Sequence, residues 1–123
     1  MTPMATQTAT QRFSDAAQKL GLSVEICEFP EGTRTAEAAA SAVGVAVGQI
    51  VKSLVFLADG RPVLCLVSGA NRLSPSRLAA ITGASAVRRA DADEARAATG
   101  YAVGGVPPFG HVSRLPVHCD RDL

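Results

Sequence analysis

Residues 50–58 read Ile-Val-Lys-Ser-Leu-Val-Phe-Leu-Ala, a nearly unbroken run of strand-forming apolar residues. Apolar side chains at both parities need cover on both faces, which places such a strand at the centre of a sheet. Asp59-Gly60 follows, a pair suited to a two-residue hairpin turn, and residues 62–67 return as the partner strand. Whatever this chain becomes, it is built around that hairpin.

The remaining elements are read outward from it. Phe13, Ala16, Ala17 and Leu20 have helical spacing over residues 8–20, with Gly21 as the stop. Leu22, Val24 and Ile26 alternate with polar neighbours, so residues 22–29 are expected to form a strand, broken by Pro30-Glu31-Gly32. Thr33 or Thr35 can cap an Ala-rich helix that turns Ala36, Ala39, Ala40 and Val43 inward and stops at Gly44. Ser74-Pro75 reads as N-cap and first helical residue, leading through Leu78 and Ile81 to Gly83. A strand is expected over 84–89, a helix from the Asp91/Glu94 capping pair to Thr99-Gly100, and a strand over 115–119. The order α-β-α-β-β-α-β-α-loop-β predicts an α+β fold, with helices flanking a mixed, mostly antiparallel curved sheet.

At 123 residues the chain suits one domain, 1–123, with a real core. It contains 4% aromatic residues and no Trp, so that core must be aliphatic. No apolar stretch nears the roughly 20 residues of a membrane span. Residues 1–11 lack the basic-then-apolar pattern of a signal peptide, so the expected location is cytoplasmic, without membrane partners. Cys27, Cys65 and Cys119 have no ligand-pair spacing and read as buried small hydrophobes; no metal site is expected. A net charge of +1 speaks against a protein that coats or specifically reads duplex DNA. It leaves room for one that grips a single terminal nucleotide.

Two features carry candidate chemistry. Lys52, one of only two lysines, lies inside the central strand, where its ammonium must be paired, aimed into a cavity, or snorkelled to water. A cavity lysine could bind phosphate, polarise a carbonyl or form a Schiff base. The second feature is the stretch from Gly100 to His111, with Gly104-Gly105 and Pro107-Pro108. Adjacent glycines let main-chain N–H groups approach a phosphate or an acyl oxygen, and paired prolines stiffen the wall; the plainer reading is a rigid surface turn. His111 beside this loop could bind or shuttle a proton, whereas His118 falls in an expected strand. Arg34, Arg72, Arg77, Arg88, Arg89 and Arg114 could meet an RNA backbone or simply be solvated.

Together, Gly-Gln-Ile-Val-Lys-Ser-Leu-Val-Phe, Thr-Gly-Tyr-Ala-Val-Gly-Gly-Val-Pro-Pro-Phe-Gly and Arg114-Leu-Pro resemble the YbaK/prolyl-tRNA synthetase editing-domain family, over residues 24–120. That resemblance implies hydrolysis of the ester bond of mischarged aminoacyl-tRNA in trans, without a cofactor. Its substrate would be the 3′-terminal adenosine with its amino acid, and its protein partners an aminoacyl-tRNA synthetase or an elongation factor. By the same resemblance Lys52, Gly104 and Gly105 carry catalysis, with Lys52 near the terminal phosphate and the glycine amides on the carbonyl oxygen. Thr35, Ser68, Val106, Pro107, Pro108, Phe109 and His111 would bind substrate. Family members continue with a strand and helix that have no counterpart before Leu123, so part of the pocket is expected beyond it. A non-catalytic module that binds a nucleotide, an RNA end or a protein through the same cleft is the competing expectation, and a Schiff-base enzyme the third.

Overall fold

A computed structural model describes residues 8–29 and 33–123. Among these residues four α-helices flank a four-stranded sheet: α1 (Ala9–Lys19), α2 (Ala36–Val43), β1 (Val51–Ala58), β2 (Arg61–Ser68), α3 (Pro75–Thr82), β3 (Val87–Arg89), α4 (Ala92–Thr99) and β4 (Val117–Cys119). The strand order is β3-β1-β2-β4, with β1 antiparallel to both β2 and β3, and β2 parallel to β4. The sheet is mixed and mostly antiparallel, and its apolar hairpin occupies the middle.

The hairpin follows from its own residues. Asp59 and Gly60 both take positive φ, 50° and 80°, which matches the twist of a two-residue turn. The Asp59 carboxylate accepts from the amides of Ser85 and Ala86, fixing this turn to the chain entering β3. Pro62 has no N–H to donate, and it sits where β2 reaches past the end of β4.

Each face of the sheet has its own core. Leu54, Phe56, Ala58, Val63, Cys65 and Val67 pack under Leu78 of α3. Val55, Leu57 and Leu64 pack with Ala90, Ala95 of α4, Val106 and Leu115 on the other. The helix signals act as read: Thr8, Thr35, Ser74 and Asp91 each accept a main-chain N–H at an N-cap, and Gly44, Gly83 and Gly100 end helices in left-handed conformation.

Four expectations are corrected. Residues 22–29 form no strand: Leu22, Val24 and Ile26 stay 48%, 44% and 40% exposed, and no described strand lies beside them. Alternation selects a face, but a strand also needs a ladder partner. The strands expected over 84–89 and 115–119 shorten to three residues each, Val87–Arg89 on the end of β1 and Val117–Cys119 on the middle of β2, since a strand extends only as far as its ladder. Val43 and Ile81 point outward, because eight-residue helices offer only a narrow inner stripe, filled by Ala40 and Leu78. Of the cysteines only Cys65 is buried; Cys27 loses its burial with the missing strand, and Cys119 is exposed on the edge strand β4. The expected break at Pro30-Glu31-Gly32 lies outside the described residues.

Candidate functional site

β3 pairs with only the last three residues of β1, so among the described residues the first half of β1 has no strand beside it on that side. A cavity of about 330 Å³ opens there. Its walls come from the start of α2 (Thr35, Ala36, Ala39), from β1 (Val51 to Val55), from Arg89, Ala90 and Ala95, and from Val103, Gly104 and Val106 of the glycine-rich loop. Lys52, Thr35, Gly104 and Val106, far apart in sequence, therefore converge. Arg34 and Arg89 join them and add positive charge. The small side chains of Ala36, Ala39, Ala90 and Ala95 create the space.

Lys52 is half-buried, and its ammonium donates to the main-chain carbonyl of Asn71, just beyond β2. One of its three donors is thus engaged, and two remain for an anion. Asn71 is itself held: its Nδ2 donates to Asp120 Oδ2 and to Asp122 Oδ2, each at 2.8 Å. Asp120 also accepts from Ser68 N–H at 3.1 Å and from Asp122 N–H at 3.0 Å. These bonds, the Asp122 amide foremost and then Asn71 and Ser68, hold the Asp120 carboxyl below the usual carboxylate range. The end of β4 thereby fixes the carbonyl against which Lys52 rests.

The loop divides in two. Val103, Gly104 and Val106 line the cavity, but Gly105 N–H donates to Ala102 O at 2.9 Å and closes a turn. Only Gly104 of the glycine pair keeps an amide free of a main-chain partner among the described residues. The second part, Pro107 to His111, is fastened to α1. Phe109 stacks on Phe13 with centroids 4.8 Å apart, and His111 Nε2 donates to Pro107 O at 2.7 Å. Arg12 lies 4.6 Å over the Tyr101 ring and donates to Gly100 O at 2.8 Å. Pro107, Pro108, Phe109 and His111 do not line the cavity; they brace the segment that does.

Thr35 lines the cavity while its Oγ1 accepts Ala38 N–H at 3.0 Å as the cap of α2. Ser68 is 2% exposed and lies outside it: its Oγ donates to Gly48 O at 2.9 Å, bracing the turn that leads into β1. Ser53, beside Lys52 and of opposite parity, lines the cavity and was not singled out by sequence; its only signal was that position. Among the described residues that line it there is no His, Cys, Asp or Glu. Among the described residues no group of three or more His, Cys, Asp or Glu could hold a metal, and no helix is long and apolar enough to cross a membrane. A larger hollow of about 580 Å³, between α3 and the end of β4, is lined by Arg72 and Arg77 but by none of the residues expected to carry catalysis or bind the amino acid.

The chain is similar to known proteins in sequence and in fold. The family described as "Aminoacyl-tRNA editing domain" matches residues 30–123. A proline–tRNA ligase of Nitratidesulfovibrio vulgaris (strain DP4) is 35% identical over 99 residues, 80% of this chain and 17% of the ligase. The YwhH protein of Bacillus subtilis (strain 168) is 30% identical over 99 residues, 80% of this chain and 63% of YwhH. The chain thus spans about a sixth of the ligase and under two thirds of YwhH. A solved structure assigned provisionally as a trans-editing enzyme for prolyl tRNA synthetase superposes with a TM-score of 0.88 at 43% identity, covering 97% of this chain and 76% of that one.

Proposed function

Because this chain belongs to the aminoacyl-tRNA editing domain family, we propose that it hydrolyses the ester bond of mischarged aminoacyl-tRNA in trans. The observation that carries this reading is the convergence of Lys52, Thr35, Gly104 and Val106 on one cavity. Relatives named proline–tRNA ligase, and a neighbour assigned to prolyl-tRNA synthetase editing, support tRNA charged by that synthetase as the substrate source.

An aminoacyl ester is already activated, so catalysis needs a positioned water and a stabilised oxyanion more than a strong nucleophile. In this reading Lys52, with Arg34 and Arg89, holds the phosphate of the terminal adenosine. Gly104 N–H faces the acyl oxygen. Water adds to the carbonyl carbon, the bond from that carbon to the ribose oxygen breaks, and the proton from water ends on the departing ribose hydroxyl. The neighbouring ribose hydroxyl relays it. The alanine walls select by size, since steric exclusion rejects a larger amino acid more strongly than a lost methylene contact could.

A panel of mischarged tRNAs tests the proposal. Wild type is expected to deacylate at least one, and Lys52→Ala to reduce that turnover by about 100-fold or more, as loss of a main electrostatic contact does. Undiminished turnover in Lys52→Ala would sink this mechanism. The basic lining, Lys52 with Arg34 and Arg89, equally suits a second reading, a module that binds the charged RNA end without cleaving it. Saturable binding across the panel with no turnover decides for that one.

A further inference from the structure

The free half of β1 has a hydrogen-bonding consequence. Gly69 N–H donates to Ile50 O at 2.7 Å, and the two-residue turn closes on Ala58 and Arg61. Antiparallel ladders alternate, so Lys52, Leu54, Phe56 and Ala58 exchange main-chain bonds with β2, and the odd-numbered residues turn theirs to the other side. Ala90 N–H to Val55 O at 3.0 Å and Asp59 N–H to Ala86 O at 2.9 Å confirm that direction. The β3 ladder stops at Phe56. The N–H and C=O of Ser53 therefore have no ladder partner among the described residues, and Ser53 lines the cavity.

Within one extended residue the N–H and C=O project together, as a donor and an acceptor side by side. An α-aminoacyl ester offers the complement on adjacent atoms: an ammonium that donates and a carbonyl that accepts. Gly105 has spent its amide within the loop, which leaves the cavity one oxyanion donor short of a pair. We infer that the main chain of Ser53 is the aminoacyl recognition strip of this cavity, taking the substrate's amino acid as a one-residue added strand. Ser53 C=O receives the α-ammonium, and Ser53 N–H joins Gly104 N–H at the ester carbonyl. The strip reads the amino-acid backbone common to all charged tRNAs, leaving the choice among side chains to the alanine walls. The inference rests on the deacylase reading for its ligand, though not for the free edge itself.

Three measurements test it. In the protein alone, NMR amide exchange should be about tenfold or more faster at Ser53 than at Leu54 and Phe56, whose amides lie in the ladder. Equal protection overturns the strip. Titration with 3′-glycylamido-3′-deoxyadenosine, whose amino acid has no side chain, should shift the Ser53 amide resonance. The N-acetyl derivative, lacking the ammonium, should bind about tenfold or more weakly, the usual scale of a hydrogen bond to a charged group. An unmoved Ser53 resonance, or equal affinity for the two compounds, overturns it. In turnover, N-acetylaminoacyl-tRNA should be cleaved about tenfold or more slowly than the free-amine form. Equal rates refute the strip and leave the deacylase reading standing. A wild type that cleaves neither defeats that reading instead, and the exchange and titration results then decide on the strip alone.

Discussion

Gly110 has a φ of +83°, and a Cβ there would stand 2.7 Å from the Cβ of Ala16 on α1. Gly110→Ala meets both a strained backbone and a clash, and should cost about 1–3 kcal/mol, read as a lowered thermal midpoint. Because Phe109 stacks on Phe13 beside it, the same variant should loosen the braced end of the loop and slow deacylation. An unchanged melting curve would contradict this packing. Sequence revealed Lys52 readily, since a lysine inside an apolar strand demands a partner. It could not reveal that the partner is the Asn71 carbonyl, held through Asp120, because the two bonds span 19 and 49 positions of the chain. Nor could it show that Gly105 spends its amide on Ala102, which depends on the turn the loop adopts. Asp120→Ala should therefore reduce deacylation with the fold retained, and its effect should vanish in a Lys52→Ala background. Additive losses in that double-mutant cycle would show that Asp120 acts elsewhere.

Element boundaries at helices were legible because caps are local chemistry, while strand boundaries were not, because pairing is long-range. Residues 22–29 make the contrast plain: they alternate as a strand does, yet no described neighbour supplies a ladder. α4 has the strongest local support. Asp91 accepts Glu94 N–H at 2.8 Å, Glu94 accepts Asp91 N–H at 3.0 Å, and Arg88 of β3 grips Glu94 through two bonds of 2.7 Å. Asp91→Ala should destabilise the fold by about 1 kcal/mol in denaturant unfolding. Arg88, and then the Asp91 amide, bring Glu94 down to about 2 from 4.5, and the Ser85 and Ala86 amides lower Asp59. A carboxyl whose folded value lies below its unfolded one favours the fold above the unfolded value and stops doing so as pH falls through the folded one. Stability should hold above about pH 4.5 and decline toward pH 2, the window Glu94 sets. Circular dichroism across that window checks it, and Glu94→Gln should flatten the decline.

For the whole molecule, the class of fold was legible in the central hairpin, since a nearly unbroken apolar strand requires cover on both faces. The parallel pairing of β2 with β4 was not legible. About fifty residues separate those strands, and nothing local states which edge the last one joins. The cavity exists for the same non-local reason, because β3 is too short to cover all of β1.

Cys65, 2% exposed at the heart of the hairpin, has its thiol pushed up to about 11 by burial, while Cys27 and Cys119 lie at the surface. The protein thus contains its own opening gauge. A thiol reagent should modify two cysteines at once and the third, at the floor of the hollow between α3 and β4, far more slowly, so the rate of the third reaction times the loosening of that cover.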